Sequence, residues 1–261
     1  HAAQLRLTRS SAPLLPGEAV DRLISEVNAM DGVVLNAEQQ AAIHAAATHE
    51  FLCITGGAGV GKTTALKALY RLFDVTGFRV LQVALAGRAA KRMQEATGRP
   101  AQTIASFLKG FEESQMDGPT VLVIDEASMV DVISMSRVCS VLPPHVRLIL
   151  VGDPHQLMPV GPGLVLHALQ GAPGVPTVEL KTVKRYGGAI AAAAAAIRAG
   201  RWPTLTADEA EAVAFLPCPD ELIGETVVEL MALDPGNSQT LCAVRNGPAG
   251  TKALNALCQE R

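Results

Sequence analysis

An α/β fold built on a parallel sheet is what this sequence predicts, and three observations predict it. Short apolar runs of buried-strand type recur at 51–55, 79–85, 120–127 and 146–153, separated by helical or irregular stretches. That alternation sets helices on both faces of a parallel sheet. A glycine-rich loop follows the first run directly, in ITGGAGVGKTT from Ile54 to Thr64. Beyond the loop, KTTALKALYRLF carries Leu66, Leu69, Leu72 and Phe73 at helical spacing.

Taken in chain order, residues 1–34 are a polar opening followed by GEAVDRLISEVNAM, which is helical in period and forms a lead-in helix rather than a domain. The α/β alternation starts at Leu35 and runs to 172 as a first domain. The Pro/Gly-rich QGAPGVPT at 170–177 has the composition of a linker. After it come a strand-like VELKTV, a helix over the alanine run 189–196, strand-like AVAFLP and SQTLCAV, and helices around PDELIGETVVELMAL and AGTKALNALCQ. Alanine is the best helix former, so the alanine run is helix and not disorder. The reading is a second α/β domain, partial, over 173–261.

Composition bounds the class. With 261 residues, 49% hydrophobic and 18% charged, the chain is globular and long enough to bury a core. No apolar run approaches the roughly 20 residues of a membrane span. The chain starts at His1, with neither a Met nor a basic-then-apolar leader. Cys53, Cys139, Cys218, Cys242 and Cys258 are odd in number and scattered, which argues against a disulfide framework or zinc cluster and suits a reducing cytoplasm. The six histidines show no metal-ligand spacing. A net charge of −3 does not announce a nucleic-acid partner, but it is compatible with a single basic groove.

Gly56, four residues, Gly61, Lys62 and Thr63 match the phosphate-loop spacing G-x-x-x-x-G-K-[ST]. Glycines bring backbone N–H groups close to phosphate oxygens. The expected nucleotide contacts run over Gly57, Gly59, Val60, Gly61, Lys62, Thr63 and Thr64. Lys62 reaches the β- and γ-phosphates, and the Thr63 hydroxyl holds Mg²⁺. A strand, loop and helix in that order put the phosphates at a helix N-terminus.

VLVIDEAS, Val121 to Ser128, ends an apolar strand in two carboxylates. Asp125 is suited to the Mg²⁺ shell and Glu126 to activating water, a pairing that favours hydrolysis over mere binding. LILVGDPHQLMPVGPG repeats the design and carries Gln156 to the same sheet edge, within reach of the γ-phosphate or the attacking water. ATP and Mg²⁺ are the implied substrate and cofactor.

LNAEQQAAI (35–43), GGAGVGKTT, GRAAKRMQEATGRPAQTIASFL (87–108), VIDEASMVD (123–131) and VGDPHQLMPVGPG (151–163) occur in this order. In that order they resemble superfamily 1B helicases, above all the bacterial RecD-like ATP-dependent DNA helicases. The likeness continues through LKTVKRYGG and VRNGPAGTKALNALCQE. It implies two RecA-like domains with ATP between them, single-stranded DNA as partner, 5′-to-3′ translocation, and no membrane. It also implies that the chain is a fragment, since the family's remaining motifs, a second ATP-contacting arginine among them, do not follow the last helix. The rest of its own longer polypeptide is then a partner, DNA-repair or recombination partners stay unnamed, and the isolated piece is expected to hydrolyse ATP weakly or not at all.

By position, the resemblance implies that Gln39 reads the adenine edge and that Arg185 reaches the γ-phosphate as a finger. It sets Arg88, Lys91 and Arg92 on the phosphates of the single strand. A solvated basic helix face explains those three equally well; the alternative for Gln39 is a solvated helix residue, and for Arg185 a surface cation in the cluster Lys181, Lys184 and Arg185. Phe107 is either a stacking face or a core residue. Departures from the family pattern are Leu85 and Ala86 in place of Pro-Thr, Ala105 for a histidine, Met158 for a proline and Tyr186 for a glutamine. They weaken the DNA contacts and leave the ATP residues intact. Two other readings stay open: the helicase segment of a conjugative relaxase, and a nucleotide-switched regulatory module that does not translocate.

Overall fold

The computed structural model describes residues 12–32, 34–112, 116–182, 188–204 and 213–259. The chain divides into two compact units, His1–Gly187 and Gly188–Arg261.

The first unit holds helices α1 (Gly17–Asp31), α2 (Ala37–Thr48), α3 (Lys62–Val75), α4 (Gly87–Thr97), α5 (Ile104–Lys109), α6 (Val132–Val141) and α7 (Val165–Leu169). Its strands are β1 (Phe51–Gly56), β2 (Arg79–Ala84), β3 (Ala101–Thr103), β4 (Thr120–Asp125), β5 (Arg147–Gly152) and β6 (Thr177–Leu180). They form one sheet in the order β3-β2-β4-β5-β1-β6. Every neighbouring pair is parallel. The four apolar runs expected as strands are the four central strands, and the predicted α/β class is the observed one.

Period-two alternation explains why those runs are continuously apolar. Leu52 and Ile54, Val121 and Val123, and Ile149 and Val151 pack on one face with α1, α2 and α3. Phe51 and Cys53, Leu122 and Ile124, and Leu148 and Leu150 pack on the other with α5, α6 and α7. A strand covered on both sides takes apolar side chains at most positions, and a polar one only where it finds a partner. Burial alone pushes the Cys53 thiol up to about 12, as befits a small core residue. The lead-in helix α1 contributes Val20, Leu23, Ile24 and Val27 to the first face. Arg147 enters the sheet buried, donating from Nη1 to the carbonyls of Ala46 (3.0 Å) and His49 (2.9 Å).

Three features depart from the sequence reading. The short edge strand β3 lay outside the expected runs. The strand-like VELKTV, assigned to the second domain, supplies β6 instead: its residues pair with β1, and Cys53 N–H donates to Pro176 O at 2.9 Å. The compact first unit therefore runs past 172 to Gly187, because the Pro/Gly-rich stretch is a surface crossing between elements of one sheet. The second unit shows α8 (Gly188–Arg198), α9 (Ile223–Leu233) and α10 (Thr251–Gln259). Its stretches 213–217 and 238–244 carry no strand among the described residues. A strand needs a neighbour for its backbone N–H and C=O groups, and the described part of this unit provides none.

Candidate nucleotide site

The loop between β1 and α3 takes its shape from glycine. Gly59 and Gly61 sit at φ 77° and 85°, in the left-handed region that favours glycine. At Gly56 a Cβ would lie 2.7 Å from Leu180 O, so β6 presses directly against the start of the loop. Gly61 caps α3 without any side-chain cap. The N–H groups of the first turn thus have no partner from the helix itself, and the helix dipole adds partial positive charge there. Lys62 Nζ donates to the carbonyls of Gly56 (2.7 Å) and Gly57 (2.8 Å) and so lies across the loop mouth. Gly57 and Val60 are buried, Gly59, Lys62 and Thr64 half-buried, and Thr63 exposed.

Two strands away, β4 ends in Asp125, and Glu126 follows at φ 52°, the one described non-glycine residue with positive φ. A non-glycine residue held there costs of order 1 kcal/mol and marks a position fixed by its surroundings. Glu126 N–H donates to Asp125 Oδ1 at 2.9 Å. Burial pushes the Asp125 carboxyl up to about 6, and the Glu126 charge adds to this. The Glu126 N–H bond and the Lys62 charge hold the rise back. Glu126 Oε2 is buried without a hydrogen-bond partner. An unpaired buried carboxylate oxygen is costly and requires a reason.

Between them β5 ends in Gly152, and Asp153 follows. A Cβ on Gly152 would lie 2.9 Å from Ser128 N, which shows how tightly the turn after β4 rides on β5. Asp153 is 3% exposed, and its Oδ1 accepts from His155 N–H at 3.0 Å. The following loop is exposed at Gln156, and its Gly161 lies directly against the Asp131 side chain, which caps α6. The order β4-β5-β1 therefore gathers Asp125, Glu126, Asp153 and the phosphate loop along one C-terminal sheet edge, where α/β proteins bind ligands.

Sequence reasoning missed Thr55 and Ser128 here. Thr55 Oγ1 and Ser128 Oγ are both buried and unpartnered. Their only signal in the sequence was their position, beside the glycine loop and the acidic pair. Gln39 lies beside the phosphate loop, fully buried, with its amide engaged at both ends. Oε1 accepts from Asn36 N–H (3.0 Å), completing a capping box at the start of α2, and Nε2 donates to Gly61 O (3.1 Å). The helix start used this amide before any ligand edge. Arg185 lies outside the described residues. Arg88, Lys91 and Arg92 are exposed on α4, with Lys91 3.8 Å from Glu95. Phe107 is a core residue, 4% exposed, so it presents no stacking face; its ring packs edge-on with Phe111 at 5.7 Å.

The donor set suits a phosphate-bound hard cation. Among the described residues no three His, Cys, Asp or Glu gather to hold a metal. Mg²⁺ takes few protein oxygens and completes its shell from waters and substrate phosphates, which matches the Thr63 hydroxyl and the Asp125 carboxylate. Among the described residues no helix is long and apolar enough to cross a membrane.

A family model described as "AAA domain" matches residues 34–216. The chain is 35% identical to the ATP-dependent RecD2 DNA helicase of Deinococcus radiodurans over 237 residues, covering 85% of this chain and 32% of that protein. It is 32% identical over 276 residues to the RecBCD enzyme subunit RecD of Mycolicibacterium smegmatis, covering 85% of this chain and 50% of that one. A probable conjugal transfer protein TraA of Sinorhizobium fredii is 36% identical over 155 residues, covering 58% of this chain and 14% of that one. The chain thus spans half or less of each of these relatives.

Proposed function

The chain belongs to the AAA domain family, and from that premise we propose that it is the ATP-hydrolysing part of a RecD-like DNA helicase. The observation that carries this reading is the convergence of Lys62, Asp125 with Glu126, and the Asp153–Gln156 turn on one sheet edge. A binding module needs the phosphate loop; it does not need, beside it, a glutamate held at positive φ with one carboxylate oxygen buried and unpartnered.

Each residue has a distinct task. Backbone N–H groups of the loop and of the first turn of α3 receive the phosphate oxygens. Lys62 exchanges its two loop carbonyls for phosphate charge. Thr63 and Asp125 hold Mg²⁺, which when bound neutralises phosphate charge. The unpartnered Oε2 of Glu126 accepts a proton from the attacking water. Gln156 sits on an exposed loop at the same edge, able to follow the γ-phosphate side of the site. Arg185 is proposed as the finger that reaches the transition state, and residues from Gly188 onward as part of a second motor domain. Single-stranded DNA is the proposed track, with Arg88, Lys91 and Arg92 on its phosphates, and 5′-to-3′ the proposed direction. A cytoplasmic location is proposed with it.

The match to a TraA protein favours a second reading, in which these motifs drive the helicase part of a conjugation protein. ATP hydrolysis measured with and without single-stranded DNA tests the motor that both readings share, using this chain, a longer polypeptide that carries it, and Glu126→Gln as the blank. Strong stimulation of the longer protein by DNA, absent in Glu126→Gln while nucleotide is still retained, is the expected result. Turnover indifferent to DNA overturns the motor and leaves a nucleotide switch.

A further inference from the structure

The two residues at the start of α2 look in opposite directions. Gln39 Nε2 donates to the carbonyl of Gly61, the left-handed residue that caps α3 and closes the phosphate loop. A Cβ on Gly61 would fall 2.5 Å from that nitrogen, so the contact is tight. Its neighbour Glu38 spends its carboxylate on the chain leaving β6. Oε2 accepts from the backbone N–H of Lys181 (2.7 Å) and Thr182 (3.1 Å), and Oε1 from the Thr182 hydroxyl (3.3 Å). These partners lie 143 and 144 residues away, so the contact is tertiary and not a local cap. Between the two ties, Leu180 at the end of β6 pairs with Gly56, the first glycine of the loop.

We propose that Glu38 and Gln39 form a two-sided tie that fixes the phosphate loop relative to the chain leaving β6, with Glu38 a positioning residue for nucleotide turnover. The proposal rests on the ATP-hydrolysing reading above. Lys181 and Thr182 are the last described residues of the first unit, and the chain continues from there into the second unit at Gly188. Two backbone donors on one carboxylate oxygen, with a hydroxyl on the other, make charge-assisted bonds that set both position and angle. The same bonds outweigh the desolvation of Glu38, and with the Lys181 charge they hold its carboxyl below the usual range. Asn36, whose carbonyl side chain receives Gln39 N–H at 2.8 Å, seats both residues on one rigid helix start. A shift of α2 therefore cannot move the loop without moving the β6 exit.

The test combines kinetics with backbone exchange in a polypeptide that hydrolyses ATP and carries this chain. In Glu38→Ala, kcat for ATP falls at least fivefold, KM for ATP stays within twofold, and the melting temperature stays within about 2 °C. Amides of Lys181 and Thr182 exchange with solvent faster, while those of β1 do not. In Glu38→Gln one acceptor oxygen survives, and kcat recovers at least partly. Gln39→Glu, which sets a carboxylate against the Gly61 carbonyl, raises KM instead. Unchanged kcat in Glu38→Ala, despite faster exchange at 181–182, overturns the positioning role. A fall in melting temperature with kcat and KM moving together overturns it too, as plain structural support. If the wild-type protein hydrolyses no ATP, the functional reading fails on its own. The tie is then judged by exchange alone, and unaltered exchange at 181–182 in Glu38→Ala sinks it.

Discussion

Asp125→Asn should make the fold more stable at neutral pH while destroying hydrolysis. Folding carries this carboxyl from an ordinary value of 3.8 up to about 6, through burial first and the neighbouring Glu126 charge second. A carboxyl raised on folding binds its proton more tightly in the folded state. Below about pH 4 it is protonated in folded and unfolded chains alike and costs nothing. As pH rises from there the unfolded chain ionises first, and above about pH 6 the folded state bears the whole penalty. From 3.8 to about 6 that is about 3 kcal/mol, an upper figure because bound cations and local relaxation reduce it. Asparagine keeps the oxygen that accepts Glu126 N–H and removes the charge. In a unit of this size the gain corresponds to on the order of 5–10 °C in melting temperature. Thermal unfolding of both proteins without nucleotide, at pH 8 and at pH 4, measures it. The reasoning predicts a gain at pH 8 that vanishes at pH 4. An equal gain at both pH values, or none at pH 8, would refute it, because neither follows from titration of Asp125.

Two further predictions test the scaffold around the site. Gly61→Ala places a Cβ 2.5 Å from Gln39 Nε2 at φ +85°, and should cost about 1–3 kcal/mol and at least tenfold in ATP affinity. Gly77→Ala, at φ +74° with open space around it, is the control: urea unfolding should show a loss of about 1 kcal/mol, with ATP affinity measured by titration unchanged. Arg147→Met strands the carbonyls of Ala46 and His49 and removes the guanidinium packed 5.4 Å from the Phe78 ring. Equilibrium urea unfolding should report a loss of about 2–4 kcal/mol, and a loss under about 1 kcal/mol would mean the buried cation is dispensable.

What the sequence made legible is what is local along the chain. A strand buried on both faces must be a continuous apolar run, so 51–55, 120–127 and 146–153 announced the sheet, and the phosphate loop fits within eleven residues of its strand and helix. Asp125, Glu126 and Gln156 each sit within a few residues of a strand end, so strand prediction brought them to one sheet edge. Legibility failed wherever a partner is distant. VELKTV has the pattern of a strand, but nothing in it names β1 as its neighbour, and so it was assigned to the wrong unit. Phe107 has the same letters as core residue or stacking face, and only α5 against the sheet decides between them. Gln39 is the sharpest case, because its role as a helix-cap partner was written three residues away in Asn36, as the capping-box spacing. Its second bond, to Gly61, depends on α2 lying beside α3. Each end of that amide makes one bond and keeps one further hydrogen-bonding position. On the proposed reading, a base that meets Gln39 meets a side chain already tied to the phosphate loop through Gly61 O.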